Sequence, residues 1–141
     1  MIWVRPGAAF NPTLPLSRTE LLPLVKQVLA VVGAAGADVE VRLVDDVEMA
    51  RLNAAFLGLP GPTNVLAFPA EDPDRPGYLG EIALSVDTLT READLYGQPP
   101  EEHFVRLLAH GLLHLTGYDH GPLMEEMNEM AVDMLRPVDP A

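Results

Sequence analysis

Three of the four histidines in this chain fall in one short stretch, His110-Gly111-Leu112-Leu113-His114-Leu115-Thr116-Gly117-Tyr118-Asp119-His120. His110 and His114 are four residues apart, so on a helix they share one face, a turn apart. Both imidazoles can then reach one metal ion at about 2.0–2.1 Å. Gly117 is a natural helix end, because glycine takes the left-handed conformation there without penalty. After that turn His120 can swing back to the same point. Three nitrogen ligands leave a tetrahedral ion one position short, which is the pattern of a catalytic site with water in the open place. The ion lowers the pKa of that water toward ~7. The reading is one ion, Zn2+ or another divalent transition metal, on His110, His114 and His120; the plainer alternative makes the helical pair satisfied polar residues in an apolar helix. His103 lies on the same face but about 10.5 Å back along the axis, too far to share the ion. It is expected at the surface of the helix's first turn. Asp119 can orient a ligand imidazole or the bound water, or cap the helix that follows. Tyr118 is expected to pack.

The same spacing occurs in the metzincin peptidases, which carry glutamate directly after the first histidine as general base. Here that position is Gly111. Peptide hydrolysis loses its usual proton acceptor and becomes the second choice. Glycine inside a helix costs about 1 kcal/mol relative to alanine, so a tertiary reason is expected to hold it there, opening space beside the ion.

The elements that must position these residues are legible from patterning. Ile2 to Val4 is apolar and β-branched, a strand. Ser17 with Glu20 forms a capping box for a helix running to about Val32 and stopping near Gly33. Val39 to Val44 alternates as a strand. Asp45 or Asp46 caps a helix through about Phe56, followed by a loop from Gly58 to Thr63. Val65 to Phe68 and Leu79 to Ser85 are strands joined by a polar turn from Glu71 to Gly77, a hairpin-like antiparallel pair. Asp87 to Tyr96 is a short helix ending at Gly97. Pro100 opens a long helix to Leu115 or Thr116, and Pro122 opens the last, to about Leu135. Met124, Met127, Met130 and Met134 on that last helix read as a core stripe. Strands alternating with helices give an α/β (α+β) fold: a single domain over residues 1–141, with a small mixed four-stranded sheet, about five helices, and the metal site at the end of a long helix.

Composition narrows the function classes. A chain of 141 residues, 48% hydrophobic and 21% charged, suits one globular domain with a real core. Without cysteine, no thiolate ligand or disulfide is available. The N-terminus has no signal-like apolar region, and no apolar run approaches a membrane span; the expected setting is the cytoplasm, with no membrane partner. The net charge of −12 argues against broad electrostatic binding of nucleic acid. A local basic groove remains compatible with it, and eight of the nine cationic residues are arginine, which suits specific phosphate contacts.

The histidine stretch HGLLHLTGYDH resembles the signature of the bacterial YbeY-type metal-dependent endoribonucleases. Asn53-Ala54-Ala55-Phe56-Leu57-Gly58 and Pro62-Thr63-Asn64-Val65-Leu66-Ala67-Phe68 are similar to that family's N-x-x-(F/Y)-R-G and P-T-D-V-L-S-F segments. Leu79-Gly80-Glu81-Ile82-Ala83-Leu84-Ser85 is similar to its L-G-D-I-x-I-S strand. The resemblance extends from Val39 to Leu135. It implies a metal on His110, His114 and His120. It also implies single-strand-specific cleavage of RNA, not DNA, in ribosomal RNA maturation near the 3′ end of small-subunit RNA, and in ribosome quality control. Expected partners are ribosomal RNA, the ribosome or its small subunit, and assembly factors. The alternatives are a metal hydrolase of another substrate, such as a peptide, and a ribosome-assembly module with a structural metal. Four positions depart from the pattern: Leu57 stands for arginine, Asn64 for aspartate, Ala67 for serine and Glu81 for aspartate. Leu57 cannot contact a phosphate or stabilise developing charge; Arg51 is a nearby candidate to replace it. Thr63 and Asn64, in a loop before a strand, are candidates for hydrogen bonding to substrate, or for capping the turn. With eight aromatic residues and this charge, unaided RNA affinity is expected to be weak and salt-sensitive.

Overall fold

The computed structural model describes residues 2–5, 18–117 and 121–135. Its elements run β1 (Ile2–Arg5), α1 (Arg18–Val31), β2 (Asp38–Val44), α2 (Asp46–Leu57), β3 (Val65–Pro69), β4 (Tyr78–Ser85), α3 (Val86–Tyr96), α4 (Pro100–Leu115) and α5 (Pro122–Leu135). The mixed α+β architecture and the five expected helices are present. Ser17, the expected cap of α1, lies outside the described residues, as do Tyr118, Asp119 and His120.

The sheet order is β1-β2-β4-β3. β1 and β4 flank β2 in parallel, while β3 returns antiparallel to β4, with Val65 opposite Leu84 and Pro69 opposite Gly80. The hairpin closes tightly at Gly80. A Cβ there would sit 2.1 Å from the Phe68 carbonyl oxygen, and its φ of +132° is one that side-chain-bearing residues rarely adopt. Alternation along the strands sorts the two faces. Val39, Val41, Leu43, Ile82 and Leu84 meet residues of α1, α3, α4 and α5 in the main core. Val44, Leu66 and Ala83 face the other way, onto Met49 of α2. Each such valine, leucine, isoleucine or methionine contributes about 1.5–3 kcal/mol on burial, so the sheet is held from both faces.

Local chemistry sets the element ends. Asp45 caps α2, its carboxylate accepting from the Glu48 N–H at 2.8 Å. α3 starts at Val86, one residue before expectation, because Ser85 ends β4 and caps α3 as well. Its hydroxyl accepts from the Thr88 N–H at 3.3 Å. The methionine stripe is half corrected. Met124 is buried and Met127 partly so, but Met130 and Met134 are exposed. Six residues on from Met124, a 3.6-residue period carries Met130 off the core face, and Ala131 takes the inward place.

α4 is enclosed on most sides, packing against α1, α3, α5 and the β3–β4 hairpin, and keeps a polar stripe of Glu102, Arg106, His110 and His114 at four-residue spacing. That enclosure fixes the face on which His110 and His114 sit.

Candidate active site

His110 and His114 are half-buried, on adjoining turns of α4, with ring centroids 4.8 Å apart and planes at 81°. The helix stops just beyond them. The Thr116 N–H donates to the Leu112 carbonyl at 3.0 Å and the Gly117 N–H to that of His114 at 3.1 Å. Gly117 then takes a φ of +96°. Two imidazoles on one face form a donor set that fits a borderline divalent cation. Among the described residues no group of three or more such donors is gathered. His120, the expected third ligand, lies outside them, as does Asp119.

Both imidazoles line a cleft of about 570 Å³ between the end of α2, strand β3 and helix α4. Thr63 and Asn64, the expected substrate contacts, line the same cleft, and so does Leu57. The loop that carries Thr63 is tied down by Asn53, which is buried in α2 and donates from its amide to the Gly61 carbonyl at 3.0 Å. Asn64 is held at four points. Its side-chain oxygen accepts from the Val65 N–H at 2.7 Å. Its backbone carbonyl accepts from the Ser85 N–H at 2.9 Å. Its amide nitrogen donates to both Glu92 oxygens, at 3.2 and 3.4 Å.

Behind Glu92 stands His103, and here the expectation is corrected. His103 is 4% exposed, not a surface residue. Its Nε2 lies 3.0 Å from Glu92 Oε1. A carboxylate oxygen accepts, so in this hydrogen bond the ring nitrogen is the donor. Nδ1 is buried without a partner among the described residues, and the Tyr96 ring packs edge-on against the imidazole. The first turn of α4 is covered by α3, which helical spacing within α4 alone does not reveal. The line His103–Glu92–Asn64 thus runs from the core to the cleft. Glu92 and His103 sit on different helices, so no local spacing could have paired them.

The neighbouring network fixes α2 to α3. Asp46 accepts from Ser85, Thr88 and Arg91 at 2.6–2.7 Å. Burial pushes its carboxyl upward, but the hydrogen bonds from Arg91, Thr88 and Ser85 together outweigh that and hold it below the usual carboxylate value.

Gly111 has the tertiary reason that its place in a helix demanded. A Cβ there would lie 3.1 and 3.3 Å from two Ile82 carbons and 3.3 Å from Val65 Cγ2. Glycine lets α4 sit close on the hairpin. A glutamate at this position would be driven into those apolar side chains, so the peptidase arrangement has no room. Arg51, the expected substitute for the family arginine, is not in the cleft wall; it pairs with Glu48 on its own helix.

A second cleft of about 520 Å³ meets the first at His114 and Pro69. It is walled by the β3–β4 turn, with Glu71, Asp72 and Arg75. The Arg75 guanidinium lies 4.1 Å over the Tyr78 ring.

Comparison with known proteins extends the motif over most of the chain. Residues 12–136 match the family model described as endoribonuclease YbeY. The endoribonuclease YbeY of Oleidesulfovibrio alaskensis is 46% identical, in an alignment covering 92% of this chain and 88% of the relative. That of Nitratidesulfovibrio vulgaris is 43% identical, covering 84% of each. The solution structure of TM1509 from Thermotoga maritima superposes with a TM-score of 0.64 at 28% identity, over 94% of this chain and 87% of that one. The histidine pair and the cleft it lines therefore sit in a chain that follows one pattern over residues 12–136, and this chain belongs to the YbeY endoribonuclease family.

Proposed function

We propose that this chain, as one domain spanning residues 1–141, is a zinc-dependent endoribonuclease specific for single strands. It acts in ribosomal RNA maturation at the 3′ end of small-subunit RNA and in ribosome quality control. One observation carries the reading: His110 and His114 share a cleft with Thr63 and Asn64, in a chain of this family. His110, His114 and His120 would hold the ion. When bound, it supplies Lewis-acid polarisation of a phosphoryl oxygen and acidifies a water molecule.

The chain's own residues do the rest. α4 presents both imidazoles from a rigid helix, so little ordering is needed at the moment of reaction. Asn64, fixed by Glu92 and by the Val65 N–H, presents its amide to the strand, with Thr63 beside it. Asp119 orients a ligand imidazole. Low cation content fits an enzyme that meets its RNA on the ribosome, with the small subunit and assembly factors as partners in the cytoplasm. Among the described residues, no helix is long and apolar enough to cross a membrane.

The test compares wild type with His114→Ala. Wild type is expected to hold about one metal equivalent and to cleave single-stranded RNA in a metal-dependent way. The variant is expected to lose both. Equal metal content in the two proteins would overturn the ligand assignment. Cleavage persisting in the variant would remove the activity from this site.

A further inference from the structure

We infer that Phe56 is a stacking platform for one unpaired base of the RNA strand, at the mouth of the cleft that holds His110 and His114. The inference rests on the endoribonuclease reading and names how that site grips its substrate.

Phe56 lies one residue before the end of α2 and is 63% exposed, beside the exposed Leu57 and Leu59, an apolar patch that a ligand can cover. It is not loose. Gly58 closes the helix just beyond it, and Asn53 ties the following loop back to α2. Phe68 of β3 braces one side, with ring centroids 4.9 Å apart at 59°. Among the described residues, Phe56 and Leu57 are the large exposed apolar residues that line this cleft.

Among the described residues, the cleft wall contains no lysine, arginine, aspartate or glutamate. These described side chains offer a strand no ion pair, and Leu57 stands where the family pattern would place a cation. What remains is an aromatic face, amide and hydroxyl hydrogen bonding from Asn64 and Thr63, and the two imidazoles. This chemistry suits an unstacked nucleobase, whose flat face any aromatic ring accepts whatever its sequence. A base within a duplex is already stacked and cannot reach the ring. Phe56 thereby favours single strands while leaving base identity open.

The experiment uses metal-loaded protein and a single-stranded RNA oligonucleotide, with Phe56→Ala, Phe56→Leu and Phe56→Trp compared by melting temperature, KM and kcat. Phe56→Ala is expected to raise KM roughly ten- to a hundredfold, the loss of one base–aromatic stack, with kcat at saturation within about twofold. Phe56→Trp is expected to keep wild-type KM. Phe56→Leu keeps the apolar bulk but lacks the ring face, and is expected to behave like alanine. An RNA with a single abasic position, moved along the strand, is expected to weaken wild type at one position and to leave Phe56→Ala no weaker there. Wild-type KM in Phe56→Ala, leucine as good as phenylalanine, or equal abasic losses in both proteins would each overturn the stacking role while leaving the endoribonuclease reading intact. A wild type that cleaves no RNA would bring down both.

Discussion

The two clefts that meet at His114 are built from opposite chemistry. On the α2 side the described wall is aromatic, aliphatic and amide beside the two imidazoles, without a carboxylate, lysine or arginine. On the hairpin side the wall carries Glu71 and Asp72 as well as Arg75. A chain with net charge −12 has carboxylates to spare, yet among the described residues none lines the α2-side cleft. Glu48, Glu81 and Glu92, which lie on the elements around it, are each engaged elsewhere. Glu48 and Glu81 pair with Arg42, and Glu92 holds Asn64 and His103. Keeping one side of the histidines clear of negative charge lets a polyanion approach there without a local cation. On the proposed reading, the α2 side is the substrate floor and the hairpin side a flank.

The largest effect should come from filling that floor. Gly111→Glu sets a Cβ against Ile82 and Val65 and sends a carboxylate into apolar surroundings. Overpacking alone costs about 1–3 kcal/mol, and burying an unpaired carboxyl adds to it. A fall in melting temperature of about 10 °C or more is expected, together with loss of RNA cleavage. If the variant kept wild-type stability, the close seat of α4 on the hairpin would be wrong, and the α2-side cleft would lose its floor.

Less severe is His103→Leu, which removes the support behind Asn64 while leaving the hairpin side untouched. The lost hydrogen bond to Glu92 is expected to cost about 1–3 kcal/mol in urea denaturation. Asn64 should also lose its fixed orientation, so KM for single-stranded RNA should rise several-fold. His103→Gln, which can still donate to Glu92, should recover part of that rise. A stability loss with unchanged KM would make the His103–Glu92–Asn64 line a structural tie only.

Why His103 escaped the sequence reading while His110 and His114 did not is a matter of range. The pair four residues apart, the glycine after it and the cap at Asp45 are local features, and local spacing specifies them. So are the strands, whose alternation sorts inward from outward residues before any partner is known. His103 belongs to the same helix face, but α3 covers the first turn of α4, and only the tertiary arrangement decides that. Gly111 was legible as an anomaly and not as a contact, because Ile82 and Val65 reach it across the hairpin. The methionines misled for a related reason: their repeat drifts from the helical period, and residue type alone does not say which face is buried. The second cleft was not foreseen at all, since its residues looked like an ordinary polar turn.

The smallest and most discriminating effects concern charge on the two flanks. Each phosphate contact to a single strand adds roughly 0.7 to the slope of log binding constant against log salt. Leu57→Arg places a cation in the uncharged cleft, beside the imidazoles, and should steepen the slope by about that amount. RNA affinity should improve at low salt, and the gain should shrink as salt rises. Arg75→Ala removes the arginine of the hairpin-side wall and should flatten the slope by at most the same amount, because Glu71 and Asp72 already offset it. The double variant should return close to the wild-type slope while its affinity tracks the α2 side. If Arg75→Ala alone abolished the salt dependence, the main phosphate track would lie over the hairpin turn, and the assignment of floor and flank would have to be exchanged.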